Sequence, residues 1–295
     1  MHWKEQVRRC RRWAALLGLT VIVAACSAHG GHSHSTVDAA GLIASFQKIQ
    51  PAADNGGFLI LKKGEGPGVL ILHELPGMTV DDLLLARRVA TAGYAVYVPL
   101  LFGQPGDHSS WNGVRACFGA GFNCFSEHDA GPIVKRLRIL AKHIRTLHGE
   151  RIGVIGLCLT GSLPLALMAD PGVAAPVLAE PSLPVIALTD DAKAALGISP
   201  ADLAAVEASQ VHILAFRFSE DSISPSRRAA ALRQALGGQI DFAEIDSRPG
   251  NPHGFTGKAH AVLTTEFVDS PGNPTRAALD KILTFFHDQL MPPGR

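Results

Sequence analysis

Cys158 stands where its side chain could act as a nucleophile. It lies within residues 156–161, GLCLTG, between an apolar run and an amphipathic stretch. A nucleophile in such a strand-to-helix turn is held above the sheet, and small neighbours let the strand and the helix approach each other. The start of the following helix favours a negative charge, and therefore a thiolate. Cys158 is thus a candidate nucleophile, although a buried structural cysteine would give the same pattern.

A cysteine nucleophile needs a base to take its proton, and the base needs an acid to orient it. In α/β enzymes with this turn, the order along the chain is nucleophile, acid, histidine. Asp221 follows one later apolar run and His253 follows the next, where parallel strands end and carry catalytic groups. The order predicts a triad of Cys158, Asp221 and His253. Glu220 is the competing acid, Asp221 could instead cap the next helix, and a lone loop histidine is more often solvated or packed.

Alternating apolar runs and amphipathic stretches predict the elements that position these side chains. Apolar runs predict an edge strand at 58–62 and buried strands at 68–73, 94–98, 151–155, 173–179, 211–216 and 240–245. Amphipathic stretches predict helices at 81–91, 133–147, 159–168, 226–236 and 274–290. Strands that alternate with helices predict an α/β fold, with a mostly parallel central sheet and helices on both faces.

The composition is that of a globular protein with a large core. The chain has 295 residues, of which 47% are hydrophobic and 18% are charged. Its 27 Lys and Arg residues nearly balance its 26 Asp and Glu residues, which argues against a nucleic-acid-binding protein. The sequence has no phosphate-binding glycine loop and no Cys-x-x-Cys or His-Glu-x-x-His metal signature, so we predict neither a cofactor nor a metal.

The N-terminus differs in charge from the rest of the chain. Residues 1–13 contain five basic residues and one acidic residue, which leaves 22 basic and 25 acidic residues in the remainder. The apolar run at 14–25 has twelve residues, whereas a membrane-spanning helix needs about 20. A basic start, a short apolar middle and small residues at its end predict a signal peptide over residues 1–25.

The end of this segment predicts a lipid anchor. Val23-Ala24-Ala25-Cys26 resembles the bacterial lipobox, in which the cysteine is diacylated and becomes the mature N-terminus. Two acyl chains anchor a protein stably in a membrane. The expected location is therefore the cell membrane or outer membrane, on its periplasmic or extracytoplasmic face. Ordinary cleavage nearby, with Cys26 free or lost, is the alternative.

Residues 26–54 are predicted to be a flexible tether, followed by one domain over residues 55–295. The tether holds His29, His32 and His34 among glycine and serine residues. A solvated linker is one interpretation, and a metal-handling segment is the other.

Two further cysteines lie in the long Gly-rich connection at 100–125. Cys117 and Cys124 could form a disulfide in an exported protein. The alternative is a pair of reduced cysteines packed as small apolar groups. In either case Cys158 is unpaired, which in an exported protein asks for a chemical explanation.

Four segments, taken in order, resemble the dienelactone hydrolase family of α/β-hydrolases. They are residues 72–77 (LHELPG), residues 156–161 (GLCLTG), Asp221 with Pro225, and residues 253–255 (HGF). The resemblance extends from about residue 55 to residue 290. Thr160 departs from the family pattern, which has glycine at that position.

The resemblance implies a carboxylic ester or lactone hydrolase with Cys158 as the nucleophile, His253 as the base and Asp221 as its orienting acid. It also implies that Glu74 helps to form the thiolate. The backbone N–H groups of Leu75 and Leu159 would form the oxyanion hole, and Leu159 is expected there because it follows the nucleophile.

The resemblance also bears on the substrate. Family enzymes hold a substrate carboxylate with arginines, one of them four residues after the catalytic histidine. That position is Gly257 here, which argues against dienelactone itself. The expected partners are a small ester or lactone and a membrane, with no nucleic acid. The alternative function is a non-catalytic lipoprotein that binds a small ligand in the hydrolase pocket.

Overall fold

A computed structural model describes residues 37–106, 131–182 and 194–291. Some predicted residues lie outside these ranges: Cys26, His29, His32, His34, Cys117 and Cys124. The signal peptide, the lipid anchor, the histidine-rich part of the tether and the disulfide therefore stay predictions.

A central sheet of eight strands organises the described residues. The strands are β1 (Gln47–Ile49), β2 (Ile60–Lys63), β3 (Gly68–Leu72), β4 (Ala95–Pro99), β5 (Ile152–Leu157), β6 (Val173–Ala179), β7 (Ile213–Phe218) and β8 (Ile240–Ile245). Their order in the sheet is β1-β2-β4-β3-β5-β6-β7-β8. The pairs β1–β2 and β2–β4 are antiparallel, and every other pair is parallel.

Helices cover both faces of the sheet. They are α1 (Ala39–Ala44), α2 (Val80–Thr91), α3 (Pro132–His148), α4 (Leu163–Leu167), α5 (Pro200–Ser209), α6 (Ser226–Leu236) and α7 (Pro274–Leu290). Side chains of α1, α2 and α7 belong to one apolar core, and those of α3 to α6 belong to the other. This is the α/β-hydrolase fold that the sequence predicts. Within the described ranges, no helix is both long enough and apolar enough to cross a bilayer.

The strand β3 illustrates why the apolar runs become central strands. All five of its residues are buried. Val69 and Ile71 join the core on one face, whereas Leu70 and Leu72 join the core on the other. Successive side chains of a strand point to opposite faces, so a strand covered on both sides must be apolar throughout. Each fully buried aliphatic side chain stabilises the fold by roughly 1.5–3 kcal/mol.

The parallel strands bring their carboxyl ends to one edge of the sheet. Leu157 of β5 pairs with Ala179 of β6, and Ala179 pairs with Phe216 of β7. The segments that follow these three strands therefore meet at the same place, and they carry Cys158, Glu180 and Asp221.

The start of the folded domain at residue 55 was predicted wrongly. The helix α1 and the strand β1 lie within the predicted tether, and β1 pairs with β2. The edge strand of the sheet is therefore β1, and β2, which was predicted as the edge, pairs with β1 on one side and β4 on the other. With only three residues, β1 is too short to give a recognisable period.

The helix predicted at 159–168 is also shorter than expected. Cys158–Thr160 forms a 3₁₀ turn, and α4 begins only at Leu163. Pro164 is thus the second residue of α4 rather than an interior one. In the first turn of a helix the missing N–H of proline has no intrahelical partner to lose.

Candidate active site

Cys158 lies at a tight turn directly after β5, with a backbone φ of 47°. A positive φ is uncommon for a residue other than glycine. Two glycines make the turn sterically feasible. A Cβ on Gly156 would lie 2.3 Å from the Thr160 carbonyl oxygen, and a Cβ on Gly161 would lie 2.6 Å from the Pro181 Cα. The geometry is that of a nucleophile turn.

Thr160, which departs from the family pattern, fixes this turn. Its buried hydroxyl donates to the Leu72 carbonyl oxygen over 2.8 Å and accepts from the Leu157 N–H over 2.9 Å. The hydroxyl thus connects the turn after β5 to the end of the neighbouring strand β3. That end leads directly to Glu74, so Thr160 helps to hold the two segments at a fixed separation.

The histidine beside Asp221 is His260. Its Nδ1 lies 2.7 Å from Asp221 Oδ2, and both side chains are buried. The other carboxylate oxygen of Asp221 accepts from the N–H groups of Ile223 and Ser224, over 2.8 and 3.1 Å. A His260 ring nitrogen also lies within 4.8 Å of the Cys158 sulfur. Cys158, His260 and Asp221 therefore bring a thiol, an imidazole and a carboxylate together in one buried cluster.

The structure does not bring His253, the predicted base, to this cluster, because the side chain of His253 is exposed. It lies in a surface turn in which Asn251 Oδ1 accepts from the N–H groups of His253 and Phe255, both over 3.1 Å. It is Phe255 that turns inward and packs against Phe218. The chain then continues to His260 before it reaches Asp221. The competing acid, Glu220, is exposed as well.

The pKa values of the pair reflect burial and mutual charge. Burial raises the pKa of the Cys158 thiol, and His260 opposes that rise. Burial also disfavours the imidazolium form of His260, but the charges of Cys158 and Asp221 outweigh it and raise the pKa of His260 well above its usual value. His260 therefore has a strong affinity for the proton that Cys158 gives up.

Glu74 reaches the same site from the end of β3. Its carboxylate, the Cys158 sulfur and a His260 ring nitrogen all lie within 4.8 Å of one another. Its Oε1 accepts from the Thr264 hydroxyl over 2.5 Å. Burial raises the pKa of Glu74, although His260 and Thr264 oppose the rise. The carboxyl group is therefore close enough to influence the proton shared by the cysteine and the histidine.

His73 holds the backbone of this segment. Its Nδ1 donates to the Glu74 carbonyl oxygen over 3.1 Å, and its Nε2 accepts from the Leu101 N–H over 3.0 Å. Burial lowers the pKa of His73 to about 4, so the ring is neutral at physiological pH, as these two bonds require. His73 thus joins the segments after β3 and β4 and holds the backbone of Glu74 in place.

The dienelactone hydrolase family matches residues 56–289. The chain belongs to the dienelactone hydrolase family. This membership supports a hydrolase activity. A comparison with curated proteins gave no significant match.

Solved structures share the fold at low sequence identity. A dienelactone hydrolase from Anabaena variabilis is 17% identical, with a TM-score of 0.54, over 83% of this chain and 99% of that one. A dienelactone hydrolase-like promiscuous phosphotriesterase from metagenomic libraries is 16% identical, with a TM-score of 0.55, over 82% and 97%. An esterase from Pyrococcus furiosus is 12% identical, with a TM-score of 0.51, over 86% and 96%.

The predicted oxyanion-hole residues flank the site. Leu159 follows Cys158 within the 3₁₀ turn. Leu75 follows Glu74 at the end of β3. The backbone N–H groups of both residues thus belong to the two segments that the Thr160 hydroxyl connects.

Two buried residues after β6 were missed by the sequence reasoning. Ser182 Oγ lies 3.3 Å from Cys158 Sγ, and the Ser182 N–H donates to the Cys158 carbonyl oxygen over 2.9 Å. Glu180 is completely buried and accepts from the Val262 N–H over 3.0 Å. The available signal was two polar residues, Glu180 and Ser182, directly after the seven apolar residues of β6.

The same cluster contains atoms that metals bind. Glu74, Cys158 and His260 offer an oxygen, a sulfur and a nitrogen within 4.8 Å of one another. Such atoms are zinc ligands in other proteins. In the described residues, Cys158 and His260 also form a cluster with Asp221, and that arrangement requires no ion.

Proposed function

We propose that this protein hydrolyses carboxylic esters or lactones through a thioester intermediate on Cys158. The observation that carries the proposal is the chain Cys158–His260–Asp221 at a nucleophile turn with positive φ. A buried structural cysteine needs neither the strained turn nor a histidine held by a buried carboxylate. Membership of a hydrolase family supports the same assignment.

In the first half of the reaction, His260 takes the thiol proton as the Cys158 sulfur attacks the ester carbonyl carbon. A C–S bond forms and the carbonyl electrons move to oxygen. The N–H groups of Leu75 and Leu159 donate to this oxyanion, and one such donor contributes about 3 kcal/mol of transition-state stabilisation. The intermediate then collapses, the bond to the leaving oxygen breaks, and His260 protonates that oxygen.

In the second half, His260 takes a proton from water while the water oxygen attacks the thioester carbon. Collapse of the second tetrahedral intermediate breaks the C–S bond, and the carboxylic acid leaves. The Cys158 sulfur recovers its proton from His260. Asp221 holds the ring in one orientation and stabilises the imidazolium form in both halves. The Ser182 hydroxyl, 3.3 Å from the sulfur, donates to the developing thiolate.

The side chain four residues after the catalytic histidine supports a neutral substrate. With His260 as that histidine, the position is Thr264 rather than Gly257, and it again lacks an arginine. The Thr264 hydroxyl is buried and donates to Glu74. A substrate carboxylate would therefore meet no cation at this position, which favours an uncharged ester or lactone.

The test is hydrolysis of p-nitrophenyl acetate by the full chain and three variants. Cys158→Ala and His260→Ala should each lower kcat by at least about 10³-fold, because each removes a reacting group. His253→Ala is the matched control and should leave kcat near the wild-type value, since that ring is exposed. Wild-type rates in Cys158→Ala, or a large loss in His253→Ala, would contradict the assignment.

We also propose that the protein is exported and lipidated at Cys26, on the strength of the basic and apolar residues before it and the Val23-Ala24-Ala25-Cys26 motif. Expression in a bacterium with labelled palmitate tests this. The wild type and Cys10→Ser should carry the label, and Cys26→Ser should lose it. Label that persists in Cys26→Ser would contradict the proposal.

A further inference from the structure

Two neighbouring strands end in the same unusual backbone conformation. Cys158 after β5 has a φ of 47°, and Glu180 after β6 has a φ of 35°. Non-glycine residues in this region are uncommon, and such outliers cluster at active sites. The nucleophile turn accounts for Cys158. The mechanism above leaves Glu180 without a role.

The burial of Glu180 adds a second unusual feature. Its side chain is completely buried, and its Oε1 has no hydrogen-bond partner. Its Oε2 accepts from the Val262 N–H over 3.0 Å. A carboxyl group away from water is costly unless it is neutral or compensated. A strained backbone and a buried carboxyl oxygen without a partner both cost stability, so packing alone does not explain Glu180 at this position.

Three buried carboxyl groups of the site, including that of Glu180, contact every second residue of one segment, residues 260–264. His260 contacts Asp221, Val262 contacts Glu180, and Thr264 contacts Glu74. Carboxyl groups that follow three different strands therefore hydrogen-bond residues 260, 262 and 264. The contact between His260 and Asp221 belongs to the triad, and the contact between Thr264 and Glu74 holds Glu74. The contact between Val262 and Glu180 lies between these two along the segment.

We propose that Glu180 is a positioning residue of the hydrolase, which holds the Val262 N–H and thereby fixes His260 against Cys158 and Asp221. The proposal rests on the proposed function for the role of His260. Glu180 does not act on substrate, because its hydrogen bond is to the Val262 backbone rather than to a reacting atom.

The charged groups around Glu180 favour its neutral form. Burial and the negative charge of Glu74 raise the pKa of Glu180 well above its usual value; His260 and the Val262 N–H oppose the rise, and Asp221 adds to it. A neutral acid retains a carbonyl oxygen that accepts the Val262 N–H. Glutamine at this position therefore reproduces the required acceptor, whereas an apolar side chain of similar length does not.

The experiment compares Glu180→Gln with Glu180→Met in the full chain. Alkylation of Cys158 by iodoacetamide at neutral pH, followed by peptide mass spectrometry, reports how well His260 assists the thiol without any turnover. Turnover of p-nitrophenyl acetate gives kcat and KM separately. Glu207→Met is the control, because Glu207 is exposed on α5.

We expect Glu180→Gln and Glu207→Met to resemble the wild type in both assays. Glu180→Met should slow Cys158 alkylation and lower kcat by about 10- to 100-fold with little change in KM, since displaced catalytic groups cost that much. Should Glu180→Met fail to fold, Glu180→Asp, whose shorter side chain cannot reach Val262, should give the same losses.

Wild-type alkylation and kcat in a folded Glu180→Met variant would overturn the proposal, as would a Glu180→Gln variant as impaired as Glu180→Met. Failure of the hydrolase assignment is distinguishable from these results. In that case the wild type would hydrolyse no ester, while Cys158 alkylation would still depend on the Val262 contact.

Discussion

Asp221 makes three hydrogen bonds that together fix the orientation of the His260 ring. One carboxylate oxygen binds the His260 ring, and the other binds two backbone N–H groups. Burial alone would raise the pKa of Asp221, but His260 and these N–H groups lower it. Asp221 is therefore ionised across the physiological range, and its charge helps to keep the pKa of His260 high.

Asp221→Asn should shift the pH dependence of hydrolysis. In the wild type the raised pKa of His260 places the acid limb of kcat/KM above pH 6.5, because the base form is needed. Removing the charge lowers the pKa of His260, so the limb should move to lower pH while kcat falls by about 10⁴-fold. Glu220→Gln, at an exposed neighbour, should leave the profile unchanged. An unshifted limb in Asp221→Asn would count against the pairing of Asp221 with His260.

At the scale of single residues, the sequence predicted which residue types form the site but not which histidine belongs to it. Cys158, Asp221 and Glu74 follow strand ends, and the structure brings their side chains to one cluster. His253 stands in the more familiar motif, whereas His260 lies in an apolar stretch, Ala259-His260-Ala261-Val262-Leu263. A histidine among apolar residues is the one that the fold buries. The number of loop residues between the last strand and the site has no periodic signal, so the prediction relied on the His-Gly-Phe motif, and the structure buries His260 instead.

At the scale of secondary-structure elements, the Thr160 hydroxyl holds the turn between β5 and α4. Thr160 connects β3 to β5 through contacts with Leu72 and Leu157. Both partners are backbone groups in the buried centre of the sheet. Losing the hydroxyl would leave them without this contact in a place that water does not reach.

Thr160→Val should therefore destabilise the protein by about 1–3 kcal/mol, since valine has the same shape but cannot form a hydrogen bond. Urea unfolding of the two proteins measures the difference. Thr91→Val is the control: its hydroxyl donates to Arg87 O at an exposed position, and its loss should have a much smaller effect. Equal midpoints for Thr160→Val and the wild type would show that the hydroxyl does not stabilise the turn.

The longer elements were predictable because their burial pattern is strong. Strands such as β3 and β5 are buried throughout, and the helices α2, α3 and α7 each bury a stripe of mostly apolar residues. The missed elements are α1, β1 and α5. Along α5 only Asp202 and Val206 are buried, so its sequence has no apolar stripe to recognise.

The molecule as a whole carries several buried acids, which makes its stability depend on pH. Glu74, Asp82 and Glu180 are buried, and burial is the largest cause of the raised pKa of each. Glu74 also raises the pKa values of the other two by its charge. In the unfolded chain these groups ionise at ordinary pKa values, so folding takes up protons at neutral pH.

The free energy of unfolding should accordingly fall as the pH rises. For a group whose folded pKa is raised, its stabilising effect is complete below the unfolded pKa and is lost as the pH rises through the folded pKa. Each such group contributes at most about 1.4 kcal/mol per pH unit in that interval. Glu180→Gln removes one titrating group, so its stability relative to the wild type should increase between pH 5 and pH 8. A pH-independent difference in urea unfolding would contradict a neutral, buried Glu180.

The central claim is that Cys158 attacks the substrate and is acylated. The most direct measurement is to mix the full chain with p-nitrophenyl acetate, quench with acid within one turnover, and locate the acetyl group by peptide mass spectrometry. We predict an acetyl thioester on Cys158 in the wild type and in His253→Ala, and none in Cys158→Ala. Turnover without acetylation of Cys158, or an acetyl group on another residue that forms at the rate of turnover, would contradict the account.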